Sequence, residues 1–200
     1  MVKIKICGLT RLADIEAVNA SKPEYIGFVF ANSHRKVTYN QAARLKDALS
    51  FDIISVGVFV NETPENILAL VQSEIVGAIQ LHGAENEEYI KQLKAKTDVP
   101  IIKAISVQKA GDVQKWGESC VDYLLLDSSA GGTGLAFDWK LIGKTGKPFF
   151  LAGGLTIENV PEAIRETAPF AADVSSGVET NRVKDPGKIK EFIRRARNES

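Results

Sequence analysis

The chain has 200 residues, of which 44% are hydrophobic, and its 25 Lys and Arg balance its 25 Asp and Glu. This length suits one domain with its own core, so we expect a single domain over residues 1–200. Without a basic excess we expect no nucleic acid and no anionic membrane among its partners, although a small anionic substrate stays compatible with this balance.

The start of the chain and its cysteines favour a cytoplasmic protein. Residues 1–6 contain no long apolar stretch of the signal-peptide type, and no apolar run approaches the ~20 residues of a membrane span. Cys7 and Cys120 lie outside any CxxC pair, and no His or Cys cluster has metal-ligand spacing. We therefore expect reduced thiols, no metal and a cytoplasmic location.

Short apolar segments alternate with amphipathic ones along the whole chain. The apolar segments are rich in Ile, Val, Leu and Phe, which is typical of parallel strands buried on both faces. We predict eight strands, at 3–7, 25–30, 53–60, 77–81, 101–105, 123–127, 148–152 and 171–175.

Helical patterns occupy the intervals between these strands. Thr63 followed by Pro64 is typical of an N-cap with proline in the first helical position. Gly111 interrupts the segment 107–117 and works against a helix there. The predicted helices begin at Thr10 or Arg11 and near Thr63, and cover 40–49, 86–96, 107–117, 138–143, 156–166 and 185–197.

Eight strands alternating with about as many helices predict an α/β fold, either a closed barrel or an open doubly wound sheet. The strand count and the position of the glycine-rich and polar segments, which all follow strands, favour a single-domain (β/α)8 TIM barrel. In an open sheet, a dinucleotide site would place GxGxxG after the first strand, whereas this chain has Cys7-Gly8-Leu9-Thr10 there.

Two small-residue segments follow the last two predicted strands. Gly153-Gly154 follows the seventh strand and Ser175-Ser176-Gly177 the eighth. Either one alone is an ordinary tight turn, but barrels often bind phosphate at this pair of loops. We predict phosphate binding by Gly153, Gly154, Ser176 and Gly177.

Cys7 and Asp127 each end a predicted strand, and both are therefore expected at the barrel mouth. Cys7 is either a small buried hydrophobe or a nucleophile or general base, whereas Cys120 is outside the strand ends and is expected to be structural. Asp127 is either a loop-capping residue or an acid whose protonated form is favoured by partial removal from water.

The remaining candidates follow or lie within strands. Arg35 is able to pair with a carboxylate in a bidentate manner, and otherwise is a solvated loop residue. His82 is equally consistent with a structural histidine and with a site residue, and Asp173, inside a strand, is expected to hold a neighbouring group. The loop 128–137, with three glycines, is either a lid that closes over the site or an irregular connection.

Taken together, the segments resemble the phosphoribosylanthranilate isomerase family of tryptophan biosynthesis. They run in the family order over almost the whole chain, and His34 departs from the proline expected before the arginine. The matching segments are KICGLT (5–10), GFVF (27–30), Ser33 with RKV (35–37), VGVFVN (56–61), QLHG (80–83), LD (126–127), GGTG (131–134), FDW (137–139), LAGGL (151–155) and DVSSGVE (173–179).

The resemblance implies an Amadori rearrangement of N-(5-phosphoribosyl)anthranilate to 1-(2-carboxyphenylamino)-1-deoxyribulose 5-phosphate. It implies Cys7 as general base, Asp127 as general acid and Arg35 as the contact to the anthranilate part, and we place His82 and Asp173 among the substrate-binding residues. The steps are proton transfers, so we expect no cofactor and no metal. We expect a monomer or a homodimer with a small phosphorylated substrate.

These two roles require opposite protonation states. Cys7 must be a thiolate, for which we expect support from local N–H dipoles, and Asp127 must carry its proton.

Three rival functions fit a barrel of this kind. An Amadori isomerase of histidine biosynthesis tends to use two Asp residues, which Cys7 argues against. Indoleglycerol phosphate synthase needs a catalytic lysine in the barrel mouth, for which Lys103 lacks the surrounding pattern. A catalytically dead barrel that senses a phosphorylated metabolite is disfavoured by Cys7 and Asp127.

Overall fold

The computed structural model of the chain describes residues 1–128 and 138–198. Eight parallel strands close into a barrel in chain order, and the last strand pairs with the first. The predicted (β/α)8 TIM barrel is therefore confirmed. The strands are β1 Lys3–Cys7, β2 Tyr25–Val29, β3 Ile54–Phe59, β4 Ala78–Leu81, β5 Ile101–Ser106, β6 Tyr123–Asp127, β7 Phe149–Leu151 and β8 Ala171–Val174.

Six α-helices surround the barrel in the described part of the chain. Thr63 accepts a hydrogen bond from the Asn66 amide and Pro64 begins the helix, as predicted. The helices are α1 Leu12–Ser21, α2 Tyr39–Asp47, α3 Pro64–Gln72, α4 Glu87–Lys94, α5 Val160–Thr167 and α6 Pro186–Asn198. A short antiparallel hairpin, β9 Glu179–Thr180 with β10 Val183–Lys184, precedes α6.

Two of the predicted helices are wrong. The segment 107–117 forms one 3-10 turn, Gln114–Trp116, because Gly111 has a φ of +95° and the Asp112 carboxylate accepts the amides of Gln108 and Lys109. The segment 138–143 also forms one 3-10 turn, Trp139–Leu141. Gly143, with a φ of +59°, ends it.

Side chains on the inner face of the barrel are mostly apolar at its base, where the Lys3 ammonium lies over the rings of Tyr25 and Phe170, and polar near its mouth. Tyr25, Leu125 and Phe150 belong to an apolar cluster at the base, in which Tyr25 and Phe150 make an edge-on ring contact at 5.4 Å. Alternate residues of a strand share a face, so Lys5 and Cys7 follow one another upward on β1. The barrel therefore presents its polar groups at the carboxyl ends of the strands.

The described residues contain no helix that combines the length and the apolar character needed to cross a membrane.

Candidate active site

A cavity of about 330 Å³ opens at the carboxyl ends of the barrel strands. This volume lies within the range of small-molecule sites, and the position is where barrel enzymes carry their active sites. The structure brings eight of the nine predicted site residues to this cavity: Cys7, Arg35, His82, Asp127, Gly153, Gly154, Asp173 and Ser176.

The ninth residue, Gly177, is outside the cavity lining and has a packing role. A side chain at this position would collide with the carbonyl oxygen of Leu155 in the loop after β7. Gly177 therefore lets the two loops that follow β7 and β8 approach each other.

Cys7 is the last residue of β1, and its thiol reaches the cavity although only 9% of the residue is exposed. Its neighbour in the sheet is Gly27, which has no side chain to cover the sulfur. The Cys7 carbonyl accepts a hydrogen bond from Ser175 Oγ at 3.0 Å, which ties the end of β1 to the loop after β8.

Charged side chains surround the Cys7 thiol. Burial raises the pKa of Cys7, whereas the ammonium groups of Lys5 and Lys184 favour the thiolate. The groups that favour the thiolate are therefore these two ammonium groups and not the N–H dipoles that we expected. Burial outweighs both.

Asp127 ends β6, three strands from β1 around the barrel. One carboxylate oxygen, Oδ1, accepts the Ser128 amide at 2.8 Å. The other, Oδ2, lies 3.5 Å from His82 Nε2. The positive φ of Gly153, +76°, and its lack of a Cβ leave room for this carboxylate, because a Cβ there would lie 2.8 Å from Oδ1.

His82 links Asp127 to the barrel interior. Its Nδ1 lies 2.9 Å from Gln80 Nε2, and an amide nitrogen donates only. A neutral His82 therefore accepts at Nδ1 and carries its proton on Nε2, the nitrogen that faces Asp127. Sequence reasoning found no partner for His82, and the structure supplies two.

Arg35 pairs with a carboxylate in a bidentate manner, as its chemistry predicted, and the carboxylate is that of Glu179. Arg35 Nε and Nη2 lie 2.7 and 2.9 Å from the two Glu179 oxygens. Lys184 Nζ also binds Glu179, at 2.6 Å, and the Ser175 carbonyl at 2.9 Å. Nη1 of Arg35 is therefore the guanidinium nitrogen that does not bind Glu179.

The loops after β7 and β8 present unpaired backbone donors. Within the described residues, the N–H groups of Gly153, Gly154, Ser176 and Gly177 donate to no protein acceptor. Gly154 has a φ of +69°, which L side chains rarely adopt. Clustered N–H groups of this kind suit an anion.

Two acceptor atoms near the cavity floor have no partner among the described residues. These atoms are Asp173 Oδ1 and Gln80 Oε1, both buried. Asp173 Oδ2 holds Lys5 Nζ at 2.9 Å, as the position of Asp173 inside a strand led us to expect. Burial raises the pKa of Asp173, against the attraction of Lys5.

The sequence did not identify Lys5, Gln80, Glu179 or Lys184 as site residues. Lys5 had a signal, because a lysine is unusual inside a buried strand and stands two residues before Cys7. Lys184 had none, and Glu179 had only its place in the family segment 173–179, since the hairpin is what brings Glu179 to Arg35 and Lys184 to Glu179.

Two further expectations bear on the site. The loop 128–137, which the sequence left as either a lid or an irregular connection, lies outside the described residues from position 129 onward. Lys103, the lysine a synthase of the rival type would need, is buried with Nζ bonded to Glu85 Oε2 at 2.8 Å and to the Gly83 carbonyl at 2.7 Å. It does not line the cavity.

In residues 1–128 and 138–198, no group of three or more His, Cys, Asp or Glu side chains is arranged to hold a metal ion.

Comparisons with known proteins agree over nearly the whole chain. Residues 4–195 match the family model for N-(5'phosphoribosyl)anthranilate (PRA) isomerase. A curated N-(5'-phosphoribosyl)anthranilate isomerase of Clostridium acetobutylicum is 47% identical over 205 residues, covering 98% of each chain.

Solved structures of the Thermotoga maritima phosphoribosyl anthranilate isomerase are also similar. One is 37% identical with a TM-score of 0.91, over 99% of this chain and 100% of the other. A second, with the same identity and coverage and a TM-score of 0.88, is a complex with reduced 1-(o-carboxyphenylamino)-1-deoxyribulose 5-phosphate.

Proposed function

The chain belongs to the N-(5'-phosphoribosyl)anthranilate isomerase family and is an isomerase of tryptophan biosynthesis, and we propose that Cys7 and Asp127 carry its two proton transfers. The observation behind this proposal is their arrangement. They face one cavity from strands β1 and β6, and the loops of β7 and β8, with their unpaired N–H groups, lie between them.

Asp127 is the proposed general acid. Its carboxyl group gives a proton to the furanose ring oxygen as the bond from that oxygen to C1 breaks, which opens the ring and leaves an iminium ion. His82 Nε2 at 3.5 Å and the Ser128 amide at 2.8 Å orient the two carboxyl oxygens for this transfer.

Cys7 is the proposed general base. Its thiolate removes the proton from C2, the electron pair of that bond forms the C1–C2 double bond, and the iminium becomes a neutral enolamine. The iminium itself is the electron sink, so these steps need neither a redox cofactor nor a metal. The enolamine then tautomerises to the ketone, while Cys7 releases its proton and Asp127 regains one.

Three sets of groups bind the substrate in this account. The N–H groups of Gly153, Gly154, Ser176 and Gly177 receive the phosphate. Arg35 Nη1, which does not bind Glu179, receives the anthranilate carboxylate. Asp173 Oδ1 and Gln80 Oε1, both unpaired acceptors, receive the sugar hydroxyls, with His82 on the cavity wall beside them.

We also propose that the enzyme acts in the cytoplasm, as a single domain and as a monomer or homodimer. Its chemistry supports the cytoplasmic location, since both cysteines are free thiols and the base must stay reduced.

The test of the base is turnover by Cys7→Ala. We expect kcat to fall by about 10²–10⁴-fold, the range of a general base, with affinity for a reduced product analogue nearly unchanged. Cys120→Ala is the matched control, because Cys120 lies just before β6 at the other end of the barrel and should leave kcat unaltered. Cys7→Ala with near-normal kcat would remove the assignment.

A further inference from the structure

A buried ion pair lies directly beneath the Cys7 thiol. Lys5 is fully buried, and its Nζ lies 2.9 Å from Asp173 Oδ2 on the neighbouring strand β8. Lys5 and Asp173 are partners in the β1–β8 register, and Lys5 stands two residues before Cys7 on the same face of β1. The ammonium group is thus one layer below the thiol.

This pair is costly for the barrel to keep. A buried ion pair loses the hydration of both charges, and apolar residues of similar volume often stabilise a fold as well or better. The barrel uses such residues one layer lower, where Tyr25, Leu125 and Phe150 fill the interior. The lysine below this pair, Lys3, is only half-buried, whereas the Lys5–Asp173 pair next to the thiol is fully enclosed, which indicates a role beyond packing.

The electrostatics of the pair match such a role. Burial alone would lower the pKa of Lys5, but Asp173 and an ionised Cys7 together raise it, so Lys5 keeps its positive charge. For Cys7 the signs are opposite, because Lys5 favours the thiolate from inside the barrel and Asp173 disfavours it, while Lys184 and Arg35 favour it from the loops at the mouth.

We propose that Lys5 is a positioning residue for the general base, whose buried ammonium stabilises the thiolate of Cys7 from inside the barrel. The thiol releases its proton to water, Lys5 keeps its own proton, and Asp173 sets how much of the lysine charge reaches the sulfur. The relevance of this to turnover rests on the proposed role of Cys7. The titration of the thiol does not depend on that role, because it is measured without substrate.

The experiment follows the rate at which iodoacetamide alkylates Cys7 between pH 7 and pH 11, in a Cys120→Ala background. Lys5→Met should move the inflection upward by at least one pH unit, which is about a tenfold slower alkylation on the acidic side. Lys5→Arg, which keeps the cation, should restore most of the rate.

Asp173→Asn provides a shift in the opposite direction. It removes the carboxylate charge, retains an acceptor for Lys5 and leaves the Cys7 thiolate as the negative charge that keeps Lys5 protonated, so the inflection should move downward and alkylation at neutral pH should accelerate. If the Lys5–Asp173 pair only stabilised the fold, Lys5→Met and Asp173→Asn would not shift the inflection in opposite directions. This variant also keeps the proposal falsifiable where Lys5→Met fails to fold.

Lys103→Met is the matched control, because Lys103 is also buried against a carboxylate, that of Glu85, but does not line the cavity. Its inflection should equal that of the parent protein. The proposal is overturned if folded Lys5→Met keeps the parent inflection, or if Asp173→Asn moves it upward. If Lys5→Met and Asp173→Asn shift the inflection as expected but Cys7→Ala stays active, the proposed function is refuted and the electrostatic inference remains intact.

Discussion

The backbone of Gly27 lies directly against the thiol of Cys7. A Cβ at position 27 would come within 2.6 Å of Cys7 Sγ, closer than real Cβ atoms approach a neighbour. The two residues are partners in the β1–β2 register, so neither strand is able to shift alone to relieve the contact. The absence of a side chain on β2 therefore sets the position of the proposed base.

Gly27→Ala should push the sulfur away from its place in the cavity. We expect kcat to fall by about 10- to 100-fold with a smaller change in KM, because a displacement of about 1 Å at a reacting group has effects of this size. Steady-state kinetics measure both constants. Gly77→Ala is the control, since its Cβ would meet its nearest neighbour, Ile54 Cγ2, at an ordinary 3.4 Å. Normal kcat in folded Gly27→Ala would disprove this positioning role.

The proposed phosphate site is tested by Gly154→Val. The side chain would force an unfavourable backbone at a φ of +69° and block the N–H groups that face the cavity. We expect KM to rise by about tenfold or more, the loss of one or two hydrogen bonds to a charged group, and competitive inhibition by inorganic phosphate to weaken with it.

Gly111→Val is the control that separates the effect of backbone strain from the loss of phosphate binding. Gly111 also has a positive φ, +95°, but lies in the loop after β5 outside the cavity lining. It should leave KM and phosphate inhibition close to the parent values. If both glycine variants raised KM equally, the effect would be one of folding, and the phosphate assignment would fail.

The sequence was sufficient to predict the eight strands because each is buried on both faces and reads as a short apolar run. It was insufficient at 107–117 and 138–143, where single glycines with positive φ and Asp side chains that cap nearby amides hold 3-10 turns. Local hydrogen bonds of this kind compete with a helix, and residue periodicity does not record them.

The site residues also divide into those that the sequence could predict and those that it could not. Residues at strand ends, such as Cys7 and Asp127, were predictable because parallel strands in a barrel deliver their carboxyl ends to one mouth. The partners that control their charge were not. Glu179 binds Arg35, and Lys184 binds Glu179, because the two-residue ladder of the β9–β10 hairpin places them there, and such a contact has no sequence spacing to reveal it.

Glu179 should make the free energy of unfolding of the protein depend on pH in the acidic range. Burial would raise the pKa of Glu179, but hydrogen bonds from Arg35 and Lys184 outweigh it and lower this pKa to about 2. A carboxyl whose folded pKa is lowered stabilises the fold above its unfolded pKa, and this stabilisation is lost as the pH falls toward the folded value. We expect a contribution of about 1–3 kcal/mol at pH 6 that declines between about pH 5 and pH 2.

Urea unfolding at pH 6 and pH 3 measures this dependence. Glu179→Gln should be less stable at pH 6 and show a shallower fall toward pH 3 than the parent protein. Glu65→Gln, an exposed change in the first turn of α3, should follow the parent at both values. Parallel losses in Glu179→Gln and the parent would show that the Arg35–Glu179–Lys184 network does not govern acid stability.

The central claim, that one cavity holds an acid and a base for an Amadori rearrangement, is tested most directly by kcat of Asp127→Asn. Asparagine keeps the shape of the side chain and cannot donate an acidic proton. We expect a circular dichroism spectrum like that of the parent and a kcat lower by at least about 10²-fold, the lower limit for general acid catalysis. The parent enzyme should also show a bell-shaped pH profile of kcat/KM that belongs to the coupled pair. If folded Asp127→Asn retained more than about a tenth of the parent kcat, well short of that range, Asp127 would not be the acid, and Asp173 would be the next residue to test.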